Sequence, residues 1–223
     1  IEEYGSDIFR LYLMFGFSYT EGGPWNDDGI RSVAKFADRT ERLIRKIAAT
    51  PNGGEGISGA AEKELDYARN YAAKNITRDL EAFSFNTSVA RLMEYVTALG
   101  KYEASDAKNV KFLKECADDL VRLFAPFAPH FSEELWEILG HKESVFSEKY
   151  PVADEKALVK DETEYAVQIN SKIRARLMMG KDMTKEEIEA AAKADPEIAA
   201  QLEGKTIKKC VVVPGRLVNF IVG

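Results

Sequence analysis

Five basic residues at helical spacing have the clearest chemical use in this sequence. They follow one another at steps of four, four, three and four residues: Arg31, Lys35, Arg39, Arg42 and Lys46. These steps keep all five on one face of a helix, and we call them the basic stripe. A line of Lys and Arg can follow a phosphate backbone, with an affinity that falls as salt rises. A solvated helix face also explains the pattern, because Asp38 and Glu41 lie beside the stripe and can form exposed ion pairs.

A second group of basic residues lies near the end of the chain, and we call it the C-terminal basic set. Its members are Lys172, Arg174, Arg176, Lys205, Lys208, Lys209 and Arg216. Residues 165–177 alternate between apolar and polar side chains, which predicts one strand with the first three bases on a single face. Such a face could bind nucleic acid, or it could simply keep an exposed sheet soluble through its charge.

The residue types required for most catalytic and metal sites are scarce. The chain has two histidines, His130 and His141, and two cysteines, Cys116 and Cys210, far apart in sequence. No metal-ligand spacing and no nucleophile–base motif connects them, so we assign no catalytic residue and no metal ligand. We interpret His130 as a hydrogen-bonded structural group. The two isolated cysteines indicate a reducing, intracellular setting, for which we expect a cytoplasmic location.

Composition and charge narrow the classes of protein further. The chain has 223 residues, is 45% hydrophobic and 30% charged, and has a net charge of -6. Residues 160–223 hold 11 basic and 10 acidic residues, a net of +1, which leaves 20 basic and 27 acidic residues, a net of -7, for residues 1–159. The overall charge argues against a protein that coats nucleic acid indiscriminately. No apolar run is long enough to cross a membrane, so we expect no membrane partner.

The order of predicted elements indicates a mainly α chain with a small α+β end. Residues 6–17 form an apolar, aromatic-rich opening segment. Helical spacing over 29–49, 60–83, 86–100, 106–125 and 131–139 predicts an antiparallel five-helix bundle within residues 1–140. Residues 141–161 are predicted to be a linker. Residues 162–223 are predicted to form a compact α+β domain of order β-α-α-β-β, with a capping box at Thr184 and a hairpin turn at Pro214-Gly215.

Several segments resemble a known family. Residues 4–12 (YGSDIFRLY) and 24–30 (PWNDDGI) resemble the stretch that follows the KMSKS loop of class I aminoacyl-tRNA synthetases. Residues 85–94 (FNTSVARLME) and 123–130 (LFAPFAPH) are similar to motifs of their anticodon-binding domain. The ending resembles the C-terminal domain of bacterial-type leucyl-tRNA synthetases, through residues 167–174, 204–209 and 213–219. Ser171 departs from the glycine that this family usually has before the lysine.

The resemblance implies a function that the residues alone do not. The family charges tRNA(Leu) with leucine, using ATP and Mg2+, so the full-length protein would be an enzyme. This chain resembles only the part beyond the catalytic core, so we expect a catalytically inactive portion that needs no cofactor of its own. Its expected partners are tRNA(Leu) and the catalytic domain of the same polypeptide, and we expect a monomer. The basic stripe would contact the tRNA stem and the C-terminal basic set its elbow. The alternative is a helical protein-interaction scaffold with no role in binding RNA.

Overall fold

The chain folds into two compact units, which a computed structural model describes for residues 2–18, 20–51, 53, 59–106, 108–158, 162–180 and 183–223. The first unit spans residues 1–158 and the second residues 159–223. Residues 141–158 of the predicted linker thus belong to the first unit, whereas residues 159–161 lie outside the described residues. No helix in the described ranges is long and apolar enough to span a bilayer.

The first unit is a helical bundle. Its α-helices are α1 (Gly5–Gly16), α2 (Asp27–Ala49), α3 (Ala60–Glu81), α4 (Phe85–Glu103), α5 (Val110–Phe124) and α6 (Pro129–Ile138). The five predicted helices are α2 to α6, so the described part of the bundle has one helix more than expected. The apolar residues of helix α1 are so dense that they hide the helical period. For this reason the sequence pattern alone did not identify it.

Helix α2, which carries the basic stripe, is firmly positioned. The Asn26 side chain accepts hydrogen bonds from the backbone N–H groups of Asp28 and Gly29 at 2.8 and 3.1 Å, so Asn26 caps the helix. On the opposite side from the stripe, α2 buries a row of residues in the bundle core: Ile30, Val33, Phe36, Ala37, Thr40, Ile44 and Ile47. This burial fixes the rotation of α2 and therefore the direction in which the stripe points.

The segment after α6 packs along the bundle rather than leaving it. The indole ring of Trp136 stacks on the His141 ring with 3.6 Å between centroids. A 3-10 turn follows at Val145–Ser147, where Val145 is buried and its N–H donates to a Glu133 carboxylate oxygen at 3.2 Å. Further along, the Asp154 N–H donates to Asn70 Oδ1 at 2.7 Å. These contacts make residues 141–158 part of the first unit.

The described residues of the second unit form two helices and a four-stranded sheet. Its elements are β1 (Glu162–Ile169), β2 (Lys172–Gly180), α7 (Lys185–Ala194), α8 (Pro196–Leu202), β3 (Ile207–Val213) and β4 (Leu217–Val222). The strand order in the sheet is β2-β1-β4-β3, with β1 and β4 parallel and the other pairs antiparallel. Helix α7 begins with the predicted capping box at Thr184. The β3–β4 turn contains Gly215 at φ 71°, as expected for the predicted hairpin.

The predicted order β-α-α-β-β is wrong at its first element. The single strand predicted for 165–177 is the β1–β2 hairpin, so the order is β-β-α-α-β-β. The chain reverses at Asn170 and Ser171, whose φ values of 48° and 63° are left-handed. Two residues in this conformation form the tight turn that joins twisted antiparallel strands. Neither residue is glycine, so the sequence lacked the strongest signal for such a turn.

Candidate nucleic-acid interface

The basic stripe lies on the solvent side of α2. All five of its residues are exposed, and their spacing places them within an arc of about 80° on the helix. From Arg31 to Lys46 the helix rises by about 22 Å. The structure therefore brings the five residues together as the sequence predicted, on an outward face of a rigid element.

The two ends of the stripe are bonded to other parts of the bundle. Arg31 forms an ion pair with Asp28 at 3.5 Å, and a side-chain hydrogen bond with Tyr4, together with nearby acids, raises the pKa of Arg31. At the other end, Lys46 Nζ lies 2.6 Å from a carboxylate oxygen of Glu103, the last residue of α4. The side chains of Arg31 and Lys46 are therefore partly used in contacts within the bundle.

Glu103 is a buried charge with two cationic partners. Its side chain is only 5% exposed and contacts both Lys46 and Lys108. Burial favours the neutral carboxyl, but the hydrogen bonds from the two lysines outweigh it and lower the pKa of Glu103. Glu103 thus joins α2, α4 and the segment before α5. Removing one partner of such a buried pair leaves the other charge uncompensated.

The centre of the stripe is different from its ends. Within the described part of the chain, Lys35 and Arg42 have no ion-pair partner, and the Arg39 guanidinium lies 5.8 Å above the Phe36 ring. Glu41, which could have neutralised the stripe, instead pairs with Arg45 at 2.7 Å. We call Lys35, Arg39 and Arg42 the central triad. Its positive charge is not offset by a carboxylate contact.

Several other bases of the bundle do have carboxylate partners. On α3, Lys74 Nζ lies 2.8 Å from Glu155, and on α4, Lys101 Nζ lies 2.9 Å from Glu64. Arg91 of α4 pairs with Glu94 at 2.9 Å. These pairs neutralise bases on a unit whose charge is negative overall. The central triad differs from these bases, because its three neighbouring cations on one helix face have no carboxylate contact among the described residues.

In the second unit, one face of the sheet is covered and the other is open. Helices α7 and α8 cover the first face, where Ile188 and Ile198 pack in a core with Tyr165, Val167 and Phe220. Side chains at alternate positions point away from this core. One row of paired residues on that other side crosses all four strands: Arg176, Ala166, Leu217 and Val213. We call this side the open face.

A β-bulge in β2 separates the first three bases of the C-terminal basic set. Ala175 pairs with Val167 and Ile173 pairs with Gln168, so Arg174 is an extra residue on β2. A bulge shifts the alternation of a strand by one position. The expectation that period two would place Lys172, Arg174 and Arg176 on one face is therefore wrong.

The two sides of the bulge can be read from the pairing. Arg176 pairs with Ala166 on the open face and forms an ion pair with Glu164. Lys172 pairs with Ile169, whose side chain is buried in the helix-covered core, so Lys172 lies on the opposite side from Arg176. All three bases are exposed, but they do not form one surface.

The remaining members of the set lie on or next to β3, the edge strand opposite β2. Lys205 precedes β3 and donates a hydrogen bond from Nζ to the Gln201 carbonyl at 2.8 Å. Lys208 and Lys209 lie on β3, an edge strand, and Arg216 lies in the β3–β4 turn. All four are exposed. The set as a whole therefore surrounds the sheet rather than covering one side.

The open face also has an apolar component that the sequence analysis did not identify. Ile173, Met178, Val213 and Ile221 are between 37% and 55% exposed. Exposed apolar side chains on a sheet can pack against the flat surface of another molecule. The nearly continuous apolar runs of β3 (IKKCVVV) and β4 (LVNFIV) were the available signal, but they do not show which face the helices leave open.

The histidines belong to the structure of the bundle. His130 Nδ1 lies 3.0 Å from Asp7 Oδ1, which confirms the expected hydrogen bond, and the other Asp7 oxygen accepts from the Phe131 N–H at 2.7 Å. His141 Nε2 lies 2.9 Å from Asp118. Among the described residues, no group of three or more His, Cys, Asp or Glu side chains could hold a metal ion.

Comparison with known proteins identifies relatives for the entire chain. Residues 62–190 match the family described as the anticodon-binding domain of tRNA ligase. A leucine–tRNA ligase from Clostridium kluyveri is 51% identical over 225 residues, which cover 100% of this chain and 28% of that protein. One from Caldanaerobacter subterraneus subsp. tengcongensis is 50% identical over 226 residues, with the same coverage. The chain therefore spans little more than a quarter of the length of these curated relatives.

A solved structure shares the fold. It is the ternary complex of Agrobacterium radiobacter K84 agnB2 LeuRS with tRNA and LeuAMS. The match has a TM-score of 0.74 and 28% sequence identity, and it covers 100% of this chain and 29% of that one. Both the helical part and the α+β part are included in the match, since all residues of the chain are covered.

Proposed function

The chain belongs to the family of anticodon-binding domains of tRNA ligases, and we propose that it is the tRNA-docking portion of a leucine–tRNA ligase. Similarity over its entire length to curated leucine–tRNA ligases supports the choice of leucine. The shared fold with a LeuRS bound to tRNA supports RNA as the ligand. Together these findings favour tRNA docking over the alternative of an interaction scaffold without RNA.

The catalytic activity belongs, in this proposal, to the rest of the ligase polypeptide. That part would activate leucine with ATP and Mg2+ and transfer it to tRNA(Leu) in the cytoplasm. This chain would contribute binding energy and orientation of the tRNA, and it would act as part of a monomer. A leucine-dependent ATP–pyrophosphate exchange assay on the 223-residue chain should accordingly give no signal above background.

The central triad is the observation that carries the RNA-binding proposal. Uncompensated positive charge along about 10 Å of helix, from Lys35 to Arg42, can contact successive phosphates. Double-stranded RNA is recognised mainly through its backbone and shape, because side chains cannot read its deep and narrow major groove. Lys35, Arg39 and Arg42 suit this role, since their charge is not used inside the bundle. Arg31 and Lys46 would extend the surface at its ends.

The open face of the second unit is proposed as a separate contact with the tRNA elbow. The bulged Arg174 supplies positive charge at one edge, next to Arg176, whose charge Glu164 partly offsets, and Lys209 lies on the other edge strand. The apolar side chains between them favour contact with a flat surface such as the end of a base stack. Lys172, Lys205, Lys208 and Arg216 surround the sheet and would act mainly through their long-range field.

The role of the stripe is tested by comparing two double variants. One removes two bases without a carboxylate partner, and the other removes two bases that have one. In the 223-residue chain, Lys35→Ala with Arg42→Ala removes two unpaired bases, and Lys74→Ala with Lys101→Ala removes two paired ones. We expect the first double variant to weaken tRNA(Leu) binding about tenfold and to reduce the slope of log affinity against log salt by about two, one for each lost phosphate contact. The paired control should change affinity by less than about twofold, since its charges are already neutralised locally.

The measurement is fluorescence anisotropy of labelled tRNA(Leu) over a series of salt concentrations. Equal losses in the two double variants would show that only net charge matters and would refute the assigned surface. Unchanged binding in both would remove the stripe from the interface altogether.

A further inference from the structure

A second row of paired residues crosses the open face next to the first. Its members, from β2 to β3, are Ile173, Gln168, Asn219 and Val211. Val167 and Ile169, the neighbours of Gln168 along β1, are buried in the helix-covered core, so the Gln168 side chain points to the open face. The centre of this row therefore consists of two carboxamides, with an apolar side chain at each end.

The two carboxamides of this row have different roles. Asn219 Oδ1 accepts the Ser171 N–H at 3.1 Å and Asn219 Nδ2 lies 3.4 Å from Ser171 Oγ, so the Asn219 amide supports the β1–β2 turn. Gln168 is half-buried, and among the described residues its carboxamide has no hydrogen-bond partner. Strand β1 is paired on both sides, so the backbone that carries this amide is held firmly. The Gln168 amide can therefore donate and accept hydrogen bonds toward a ligand.

The surroundings of Gln168 favour a base over a phosphate. Ile173 beside it is 53% exposed, and Val211 is half-buried on the same face. The cations lie at the rim, with the bulged Arg174 on one edge strand and Lys209 on the other. A phosphate at the centre would lose hydration without gaining a cation, whereas the plane of a base is largely apolar and can lie on the sheet. The phosphates on either side of that base would then face the basic rim.

We propose that Gln168 reads the edge of one base at the tRNA elbow, by donating one hydrogen bond to that base and accepting another from it. This inference rests on the proposed function, because it requires that the open face contacts the elbow. A carboxamide can form both bonds with one base at once, and such a pair of bonds distinguishes that base from others. The contact adds base recognition to a unit whose cations can hold only the backbone.

The experiment combines one change in the protein with small changes in the tRNA. Gln168→Met keeps the length of the side chain and removes both hydrogen-bonding groups. Gln201→Met is the matched control, at the other of the chain's two glutamines, on α8 in the helix layer. The tRNA(Leu) series carries one analogue at a time in the D and T loops, which form the elbow: inosine for guanosine, purine riboside for adenosine, and zebularine for cytidine or uridine. Each analogue lacks one exocyclic group of the base edge.

Fluorescence anisotropy gives the affinity of the 223-residue chain for each tRNA. We expect Gln168→Met to weaken binding of unmodified tRNA(Leu) about five- to tenfold, with an unchanged slope of log affinity against log salt, because the amide carries no charge. At one position of the loops, the analogue should weaken binding to the wild-type chain by a similar factor and weaken binding to Gln168→Met by less than about twofold. Gln201→Met should match the wild-type chain with every tRNA, and circular dichroism verifies that both variants are folded.

Two results would overturn the proposal. The first is equal affinity of Gln168→Met and the wild-type chain for tRNA(Leu), which is also the result expected if the open face binds another protein. The second is equal analogue effects in the two proteins at every position, since the amide would then contact the backbone or act only within the sheet. If the Lys35 and Arg42 changes weaken tRNA binding while Gln168→Met does not, the proposed function stands and only this inference fails. A wild-type chain that does not bind tRNA(Leu) at low salt would remove both.

Discussion

Helix α2 and the β1–β2 hairpin both present basic residues at regular spacing, with different results. On α2, seven buried residues fix the rotation of one continuous helix, and the five bases of the stripe stay on one side. In the hairpin, one bulged residue at Arg174 shifts the alternation, so Lys172 and Arg176 point to opposite sides of the sheet. The comparison teaches that a single inserted residue can divide a strand face. The basic stripe of α2 has no such interruption.

The two regions also differ in how their charges are used. The α2 stripe has paired ends and an unpaired centre, so its outer members stabilise the fold and its inner members remain available to a ligand. In the hairpin, Arg176 is paired with Glu164 and the exposed neighbours Ile173 and Met178 are apolar. We therefore expect electrostatic recognition on α2 and a mixed apolar and basic contact on the open face.

The largest effect on stability is expected from Glu103, which pairs with Lys46 at the end of the stripe and not with the central triad. Glu103→Gln should lower the free energy of unfolding of the bundle by about 1–3 kcal/mol, because Lys46 and Lys108 lose their buried counter-charge. Arg42→Gln, at an unpaired position, should change it by less than about 0.5 kcal/mol. Urea denaturation of both variants checks the difference, and similar losses would erase the distinction between the end and the centre.

The same carboxylate predicts a pH dependence. Its pKa is lowered in the folded state, so the stability it contributes is present above the ordinary pKa of a glutamate and is lost as pH falls through the folded pKa. The wild-type chain should therefore lose more stability than Glu103→Gln when the pH is lowered from 7 to about 3. Parallel pH profiles of the two proteins would contradict this assignment.

Changes in the β1–β2 hairpin are expected to have a smaller effect, on tRNA binding, and they test whether the bulge separates its basic residues. Arg174→Ala with Arg176→Ala should weaken tRNA(Leu) binding to the full-length ligase about three- to tenfold, since both changes remove charge beside the open face. Lys172→Ala, on the opposite side of the sheet, should change binding by less than about twofold. Filter binding at one low salt concentration is sufficient. Comparable losses for Lys172 and for Arg176 changed singly would mean that the bulge has no consequence for RNA binding.

The smallest effect concerns the turn that divides the predicted strand. Ser171 has a left-handed φ of 63°, which glycine adopts without the steric cost that a side chain carries. Ser171→Gly should therefore stabilise the second unit by about 0.5–1 kcal/mol, and thermal unfolding of the chain measures it. Asn170 is a poorer site for the same change, because its side chain bonds both the N–H and the carbonyl of Val222 at 3.0 and 3.2 Å. Destabilisation by Ser171→Gly would indicate that the contact of Ser171 Oγ with Asn219 matters more than the backbone conformation.

Much of the fold could be predicted because its signals are local. The periods of α2 to α6, the capping box at Thr184 and the turn at Pro214-Gly215 depend on residues within one or two turns of each other. The stripe was found for the same reason. Helix α1 was missed because its dense apolar residues hide the helical period, and the β1–β2 turn was missed because neither Asn170 nor Ser171 is glycine.

The sequence by itself determined the mainly α character of the chain, the face of α2 on which the bases lie, and the relatives that it resembles. Only the tertiary structure decided which of those bases are free, because Glu103 and Lys46 are distant in sequence and meet only when α2 packs beside α4. The tertiary structure also decided on which side of the sheet each basic residue lies, since the bulge at Arg174 exists only where β2 pairs with β1. Local periodicity is a property of one segment, whereas charge pairing and strand register depend on which segments come together.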